Sequence, residues 1–223
     1  MIAPLDLQRT ATAEADHRDL DDRLLLIALQ VGEQDAYERL IARFQTPVYN
    51  LAYRLLNDPS DAADVLQEVF IKIFRNVSTF RGDSSLRTWV YRIAVNESYN
   101  HRRWMFRHRH RETGLEESFE GSEVREKPIR DSGETPYEFT MNREAQALLE
   151  DALAAITPAY RSVLVLREIE ELGYEEIASI LGISLGTVKS RMVRGREALR
   201  QELSRRLEHQ HGVRSVLARA LTR

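Results

Sequence analysis

The stretch "SSLRTWVYRIAVNESYNHRRW", residues 84–104, gathers side chains suited to handling nucleic acid. Amides and guanidinium groups hydrogen-bond base edges and phosphates, and indole and phenol rings stack on bases. At about 100° per residue on a helix, Leu86, Val90, Ile93, Ala94 and Glu97 share one arc, an arc expected to be buried apart from Glu97. Thr88, Arg92, Asn96, Tyr99, Asn100 and Arg103 share the opposite arc, with Trp89 at its border. A duplex hides base faces, so this mixture suits a strand that has been opened. The preceding "TFRGDSS" supplies Phe80, a flexible Gly82 and the short polar Asp83, Ser84 and Ser85. Such a loop can wall a pocket for an extruded base. Trp89 filling core is the competing expectation.

A second stretch, "YEEIASILGISLGTVKSRMVRGREALRQEL", has helix-turn-helix spacing. Ile177, Ile180 and Leu181 face inward on its first helix, and Ala178 is small where two helices cross. Gly182 permits the positive φ that ends that helix. Ile183 plugs the turn, Ser184 caps the second helix, and Val188, Met192 and Leu199 return to the core. The second helix then presents Lys189, Ser190, Arg191, Val193, Arg194 and Arg196. Early positions reach base edges of a duplex and later arginines hold phosphates.

Other chemistries find little support. His101, His108 and His110 cluster, as do His209 and His211, but no pair has i, i+4 spacing, so solvated histidines and no metal site are expected. "FRGDSS" lacks both the spacing and the lysine of a phosphate-binding loop. Glu175 and Glu176 open a helix, where the dipole accounts for them. No catalytic residues and no cofactor are expected.

These side chains are carried by helices. No strand pattern is evident in the 223 residues. Leu24, Ile27, Ala28 and Val31 fall on one face, then Ala36, Leu40, Ile41 and Phe44, then Val48, Leu51, Ala52 and Leu55 beyond Pro47. In "NDPSDAAD", Pro59 breaks, Ser60 caps, and Asp61 and Asp64 suit a helix N-terminus. Val65, Val69, Phe70 and Ile73 follow, and Ser84 or Ser85 caps the helix quoted first. Periodicity returns at Ala145, Leu148, Leu149, Ala152 and Leu153. Thr157–Pro158 then starts a helix with Val163, Leu164, Leu166 and Ile169.

The expected architecture is all-α: two small helical domains, residues 23–107 and 141–207, joined by a flexible acidic linker over 108–140. A disordered tail, 1–22, precedes them. An extension, 208–223, follows; it is expected to fray, although Val213, Val216, Leu217 and Ala220 have amphipathic spacing. Charge is segregated to match. The net charge is −3, yet residues 81–111 hold eight arginines against two acids, and 184–206 hold one lysine and six arginines against two. Between them, 112–138 hold nine acids and three basic residues. Two basic blocks around an acidic one fit two contacts with a polyanion. The chain has no cysteine, which excludes disulfides and cysteine-based metal sites and suits a reducing compartment. No apolar run approaches the roughly 20 residues that span a bilayer, and the first 22 residues do not read as a signal peptide. The cytoplasm is expected.

Three stretches, in order, resemble a known family. "TFRGDSSLRTWVYRIAVNESYNHRRW" resembles the promoter-melting segment of extracytoplasmic-function (ECF) sigma factors of the envelope-stress, sigma-E-like type. "DAADVLQEVFIKIFRN" is similar to the helix by which they grip the polymerase clamp. "LREIEELGYEEIASILGISLGTVKSRMVRGREAL" is similar to their promoter-reading domain. The resemblance implies that Asp61, Asp64, Gln67, Glu68 and Phe70 dock on the β′ clamp of core RNA polymerase. It implies that Phe80, Arg81, Asp83, Ser84, Arg92, Asn96 and Asn100 capture the non-template strand at the minus-ten element; Trp89, Tyr99 and Arg103 join them from the face read above. Lys189, Ser190, Val193 and Arg194 would read the minus-35 duplex, beside Arg191 and Arg196. The implied partners are core polymerase (β′ clamp and β flap), promoter DNA and an anti-sigma factor, with no membrane insertion. The linker would thread toward the RNA exit path. Gly173 stands where the family usually has Ser or Thr, and Val193 where it often has a larger residue. The alternative is a stand-alone helix-turn-helix regulator whose first domain senses a ligand or dimerises.

Overall fold

The computed structural model describes the backbone of residues 20–112 and 136–221, and the side chains of 20–108 and 145–208. Every regular element among the described residues is helical. The expectations for residues 1–19, for 113–135, and for the side chains of His110, His209, His211 and the C-terminal extension lie outside that set.

The first helix, α1, covers residues 20–31, so positions 20–22 are structured rather than tail. It buries Leu25, Ala28 and Leu29, whereas Leu24, Ile27 and Val31 are exposed. The expected face is therefore wrong by a rotation of the helix. "LLLI" is apolar all round, so local periodicity leaves the phase open and packing decides it.

Helix α2 spans Gln34–Leu56 and continues through Pro47. The proline removes one ladder hydrogen bond, but Phe44, Val48, Leu51, Ala52 and Leu55 all bury on one side and hold the helix together. Asn57 ends it with φ 60°, its N–H bonded to the Tyr53 carbonyl.

Helix α3 spans Pro59–Asn76. Its cap is Asp58, not Ser60: the Asp58 carboxylate accepts from the backbone N–H of Ser60 at 2.8 Å and Asp61 at 2.9 Å. Pro59 starts the helix rather than breaking the chain, since the first helical N–H has no partner to lose. A short 3₁₀ turn, Val77–Thr79, follows. The Gln30 amide donates to the carbonyls of Phe80 (2.9 Å) and Val77 (3.3 Å), tying this loop to α1.

Helix α4 spans Leu86–Glu112, beyond the expected boundary at 107. Ser85 caps it, its hydroxyl accepting from the Thr88 N–H at 3.1 Å. Leu86, Val90 and Ala94 are buried as expected, joined by Tyr91, Val95 and Ser98.

The second domain opens with α5, Pro136–Ala155, earlier than position 141 because a proline suits a first turn. Ala152 and Leu153 are buried, while Ala145 and Leu149 are exposed. Helix α6, Pro158–Leu164, starts after Thr157, whose side chain makes no cap bond. It widens into a π turn, Val165–Ile169. Helices α7, Tyr174–Leu181, and α8, Leu185–Leu221, complete the chain. Helix α8 runs through position 207, and the backbone of 208–221 is helical. Buried residues of both domains join one continuous apolar cluster.

Candidate nucleic-acid interface

The loop after α3 and the first turns of α4 enclose an open cavity of about 610 Å³. Phe80 and Trp89 stack along one wall, ring centroids 4.6 Å apart and planes at 21°. Trp89 is half-buried: it packs against the core and also lines this wall. Arg81, Asp83, Ser84, Arg92 and Asn96 also line the cavity. Its floor carries the Lys72–Glu97 ion pair at 2.6 Å, which sequence reading did not connect because the partners lie on α3 and α4. Asn100 and Arg103 face a neighbouring cavity of about 480 Å³ with Trp104, Arg107 and His101. Trp104, exposed and stacked on His108 with centroids 4.2 Å apart, was not among the expected residues.

Three members of the expected open arc are not open. Thr88 is buried, its hydroxyl 3.5 Å from Glu176 Oε1. Arg92 Nη2 donates to Ser179 Oγ at 2.6 Å, and Tyr99 Oη donates to Ser162 Oγ at 2.8 Å. All three partners belong to the second domain. A polar face that no apolar pattern marks as buried has been covered by hydrogen bonding, a contact invisible to periodicity.

On α3, Asp64, Gln67 and Glu68 are exposed on one side. Ile71 and Phe74 extend that side as partly exposed apolar residues. Two expected members depart from it. Phe70 is 8 % exposed and sits in the core, where it packs beside Phe74, because position 70 falls on the inward phase set by Val69 and Ile73. Asp61 is held by His101 Nε2 at 3.0 Å, so this histidine is paired rather than solvated.

In the second domain, Gly182 has φ 63° and ends α7. The Glu176 carboxylate accepts from the Gly173 N–H at 2.8 Å, so glycine at the cap position is supported from the third residue of the helix. Ser184 accepts from the Thr187 N–H at 3.2 Å, and Val188 and Met192 are buried. Lys189, Ser190, Val193 and Arg194 are exposed and Arg191 is half-buried. The Ser190 hydroxyl donates to the Thr187 carbonyl at 3.0 Å. Arg196 is engaged by Glu168, at 2.9 and 2.6 Å through Nε and Nη2; that pairing raises its pKa further. Buried Gly195 lets α6 approach α8: a Cβ there would meet Tyr160 and Leu164 at 3.3 Å.

Among the described residues, no group of three or more histidine, cysteine or acidic side chains could hold a metal ion, and no helix is long and apolar enough to cross a membrane.

One helical domain carries an aromatic-walled cavity and the other a helix-turn-helix, the element of a DNA-binding protein. Residues 40–104 match the family described as Sigma-70 region 2, and residues 146–199 match Sigma-70, region 4. The RNA polymerase sigma-H factor of Pseudomonas aeruginosa is 34 % identical over 82 % of this chain and 93 % of its own. The ECF RNA polymerase sigma-E factor of Haemophilus influenzae is 35 % identical over 82 % and 96 %. Among solved structures, the sigma factor RpoE of Bartonella quintana, in complex with the anti-sigma factor NepR, has a TM-score of 0.60 at 23 % identity, covering 75 % of this chain and 96 % of that one. CnrH, in complex with the cytosolic domain of CnrY, has a TM-score of 0.57 at 23 % identity, covering 82 % and 97 %. The chain belongs to the ECF sigma factors of RNA polymerase. It is a transcription initiation factor and a DNA-binding regulator, and the stand-alone regulator reading is not favoured.

Proposed function

We propose that this chain works in the cytoplasm, without catalysis or cofactor, by three surfaces. The exposed side of α3, with Asp64, Gln67 and Glu68 and the apolar Ile71 and Phe74, docks on the β′ clamp of core polymerase, and Asp61 orients that helix through His101. The Phe80–Trp89 cavity takes a base extruded from the non-template strand at the minus-ten element. Arg81, Asp83, Ser84 and Asn96 line its edges, and Asn100 and Arg103 continue the strand path. Thr88, Arg92 and Tyr99 join this surface when the second domain moves off it. The start of α8 reads the minus-35 duplex through Lys189, Ser190, Arg191, Val193 and Arg194, with Arg196 on phosphate and the β flap as this domain's second partner. The acidic segment between the domains threads toward the RNA exit path. An anti-sigma factor restrains the chain in a stress response, a reading supported by the complex solved for RpoE with the anti-sigma factor NepR.

The observation that carries the strand assignment is the stacked Phe80–Trp89 pair walling an open cavity beside Asn96. Stacking serves a base already out of the duplex. Asn96→Ala should leave core-polymerase binding intact and lower promoter opening, read by permanganate reactivity of unpaired thymines. Unchanged opening would remove Asn96 from the site.

A further inference from the structure

Beyond Asn100, α4 carries a second aromatic group outside the apolar core. Trp104 is 48 % exposed. Its ring stacks on His108, one turn later, with planes at 29°. His101, one turn earlier, flanks it with centroids 6.2 Å apart. Both imidazoles are themselves held. His101 Nε2 lies 3.0 Å from Asp61 Oδ1, and His108 Nδ1 donates to the Trp104 carbonyl at 3.0 Å. An indole between two anchored rings keeps its rotamer, so little side-chain freedom is left to lose when a ligand settles on it.

The cavity beside Trp104 supplies the rest of a nucleotide site. Asn100, Arg103 and Arg107 line it, with Glu68 and Glu97 as its acids. Both arginines are exposed, and no carboxylate pairs with either among the described residues. Glu97 is already neutralised by Lys72 at 2.6 Å and accepts from Asn100 Nδ2 at 3.3 Å. The two guanidinium groups therefore outweigh Glu68, a balance that suits a phosphodiester. Asn96, Asn100, Arg103 and Arg107 recur every three or four residues, one stripe of helix. That stripe joins this cavity to the Phe80–Trp89 cavity, and Glu97 lines both. Trp104 follows Trp89 by fifteen residues of α4, a rise of about 22 Å. That is about six steps of a stacked strand at roughly 3.4 Å each, and fewer of a stretched one.

We infer that Trp104 is a second base platform. With Arg103 and Arg107 on the flanking phosphates, it takes another unpaired base of the same non-template strand, up to about six nucleotides from the base in the Phe80–Trp89 cavity. This rests on the strand assignment proposed above. Stacking accepts any base, because every base has a π face. Two stacked bases held a fixed distance apart instead measure how much strand is open. The platform thus makes the length of the opened segment, and not base identity alone, a determinant of promoter choice.

The test uses holoenzyme, assembled from the full chain and core polymerase, on a premelted bubble. The bubble is copied from a promoter mapped by sequencing transcript ends after overexpression. Abasic sites are placed singly along its non-template strand, and each is measured with the parent chain, Trp89→Ala, Trp104→Ala and Trp104→Phe. Circular dichroism checks that each variant is folded. Trp104→Ala should weaken bubble binding about 5- to 150-fold, the value of one stacked base, and Trp104→Phe by less than alanine does. One abasic position, distinct from the one coupled to Trp89, should cost the parent chain a similar factor and the Trp104→Ala holoenzyme almost nothing. Arg107→Ala should lower the salt slope of binding by about one. The platform fails if Trp104→Ala binds the bubble like the parent, if phenylalanine does no better than alanine, or if no abasic site loses its cost in the variant. It fails equally if Trp104→Ala weakens assembly with core polymerase in the absence of DNA, which would make Trp104 a clamp contact. In each case a Trp89→Ala holoenzyme that still loses bubble affinity leaves the strand assignment standing; one that binds like the parent sinks that assignment too.

Discussion

Replacing Arg161 by alanine should destabilise the folded chain by about 3–5 kcal/mol, from stranded buried carbonyls at about 1–3 kcal/mol each and the void left behind. Arg161 is 3 % exposed. Its Nη1 donates to the Leu55 carbonyl at the end of α2, at 2.8 Å. Its Nη2 donates to the carbonyls of Ala154 and Ile156 at the end of α5. No carboxylate pairs with it among the described residues, and the Nε finds no acceptor. Burial, then the charge of Arg102, pushes its pKa down to about 10. The cation is thus held by helix-end carbonyls alone, the partners a C-terminal dipole offers. Each bond to a charged donor is worth about 1.5–3 kcal/mol, and desolvation offsets several kcal/mol of that sum. Alanine removes the bonds, strands the carbonyls and leaves a void. Methionine keeps the stem and avoids most of the void but strands the same carbonyls, so Arg161→Met should be about 1–2 kcal/mol less destabilising than alanine. Urea unfolding, followed by circular dichroism and tryptophan fluorescence, measures both. A loss below about 1 kcal/mol for alanine, or a methionine variant as unstable as alanine, would refute the reasoning.

Three further outcomes are expected. Asp58→Ala should cost about 1–2 kcal/mol and Ser60→Ala less than about 0.5, since Asp58 holds the two free N–H groups of α3; equal losses in urea would return the cap to Ser60. Trp89→Ala should weaken binding of an opened minus-ten strand by about 1–3 kcal/mol in holoenzyme titrations while α3 still docks on core polymerase; unchanged strand affinity would leave the stacked wall without a ligand. Burial, then the Glu170 hydrogen bond and charge, pushes the Tyr91 phenol up to about 12 from 10.0. Because the folded value is the higher one, its contribution is complete below pH 10 and is lost as pH rises through 12, a fall of about 2–3 kcal/mol. Urea midpoints across that window should drop more steeply for the parent chain than for Tyr91→Phe; parallel curves would contradict the assignment.

The elements were legible where one face is apolar and the other is not. Val65, Val69 and Ile73 on α3, and Val188 and Met192 on α8, sit where their spacing puts them. The helix-turn-helix was equally readable, because Gly182, Ser184 and Val188 each answer a separate local requirement. The phase of α1 was not, because four successive apolar residues satisfy more than one face. The Asp58 cap was missed beside Ser60 because both types cap well and only the start of the hydrogen-bond ladder distinguishes them. Phe70 illustrates a different limit. A position assigned by likeness to a docking helix turns inward here, and the apolar residues exposed on that side of α3 are Ile71 and Phe74.

The covered face of α4 is the harder case, and its cause lies in the chemistry of the face itself. Threonine, arginine and tyrosine outside the apolar arc suit base edges and phosphates because they offer hydroxyls and cations. Those same groups meet a carboxylate and serine hydroxyls equally well, and here Glu176, Ser179 and Ser162 supply them. Asn96, Asn100 and Arg103 lie on the same helix, yet they remain exposed, rotated toward the two cavities. The division follows helical position: 88, 92 and 99 lie toward Tyr91 and Ser98, the side on which the second domain docks. Glu170 sits at the centre of the docking side, facing Arg54 and Arg87, so one buried carboxylate organises the contact that covers this face.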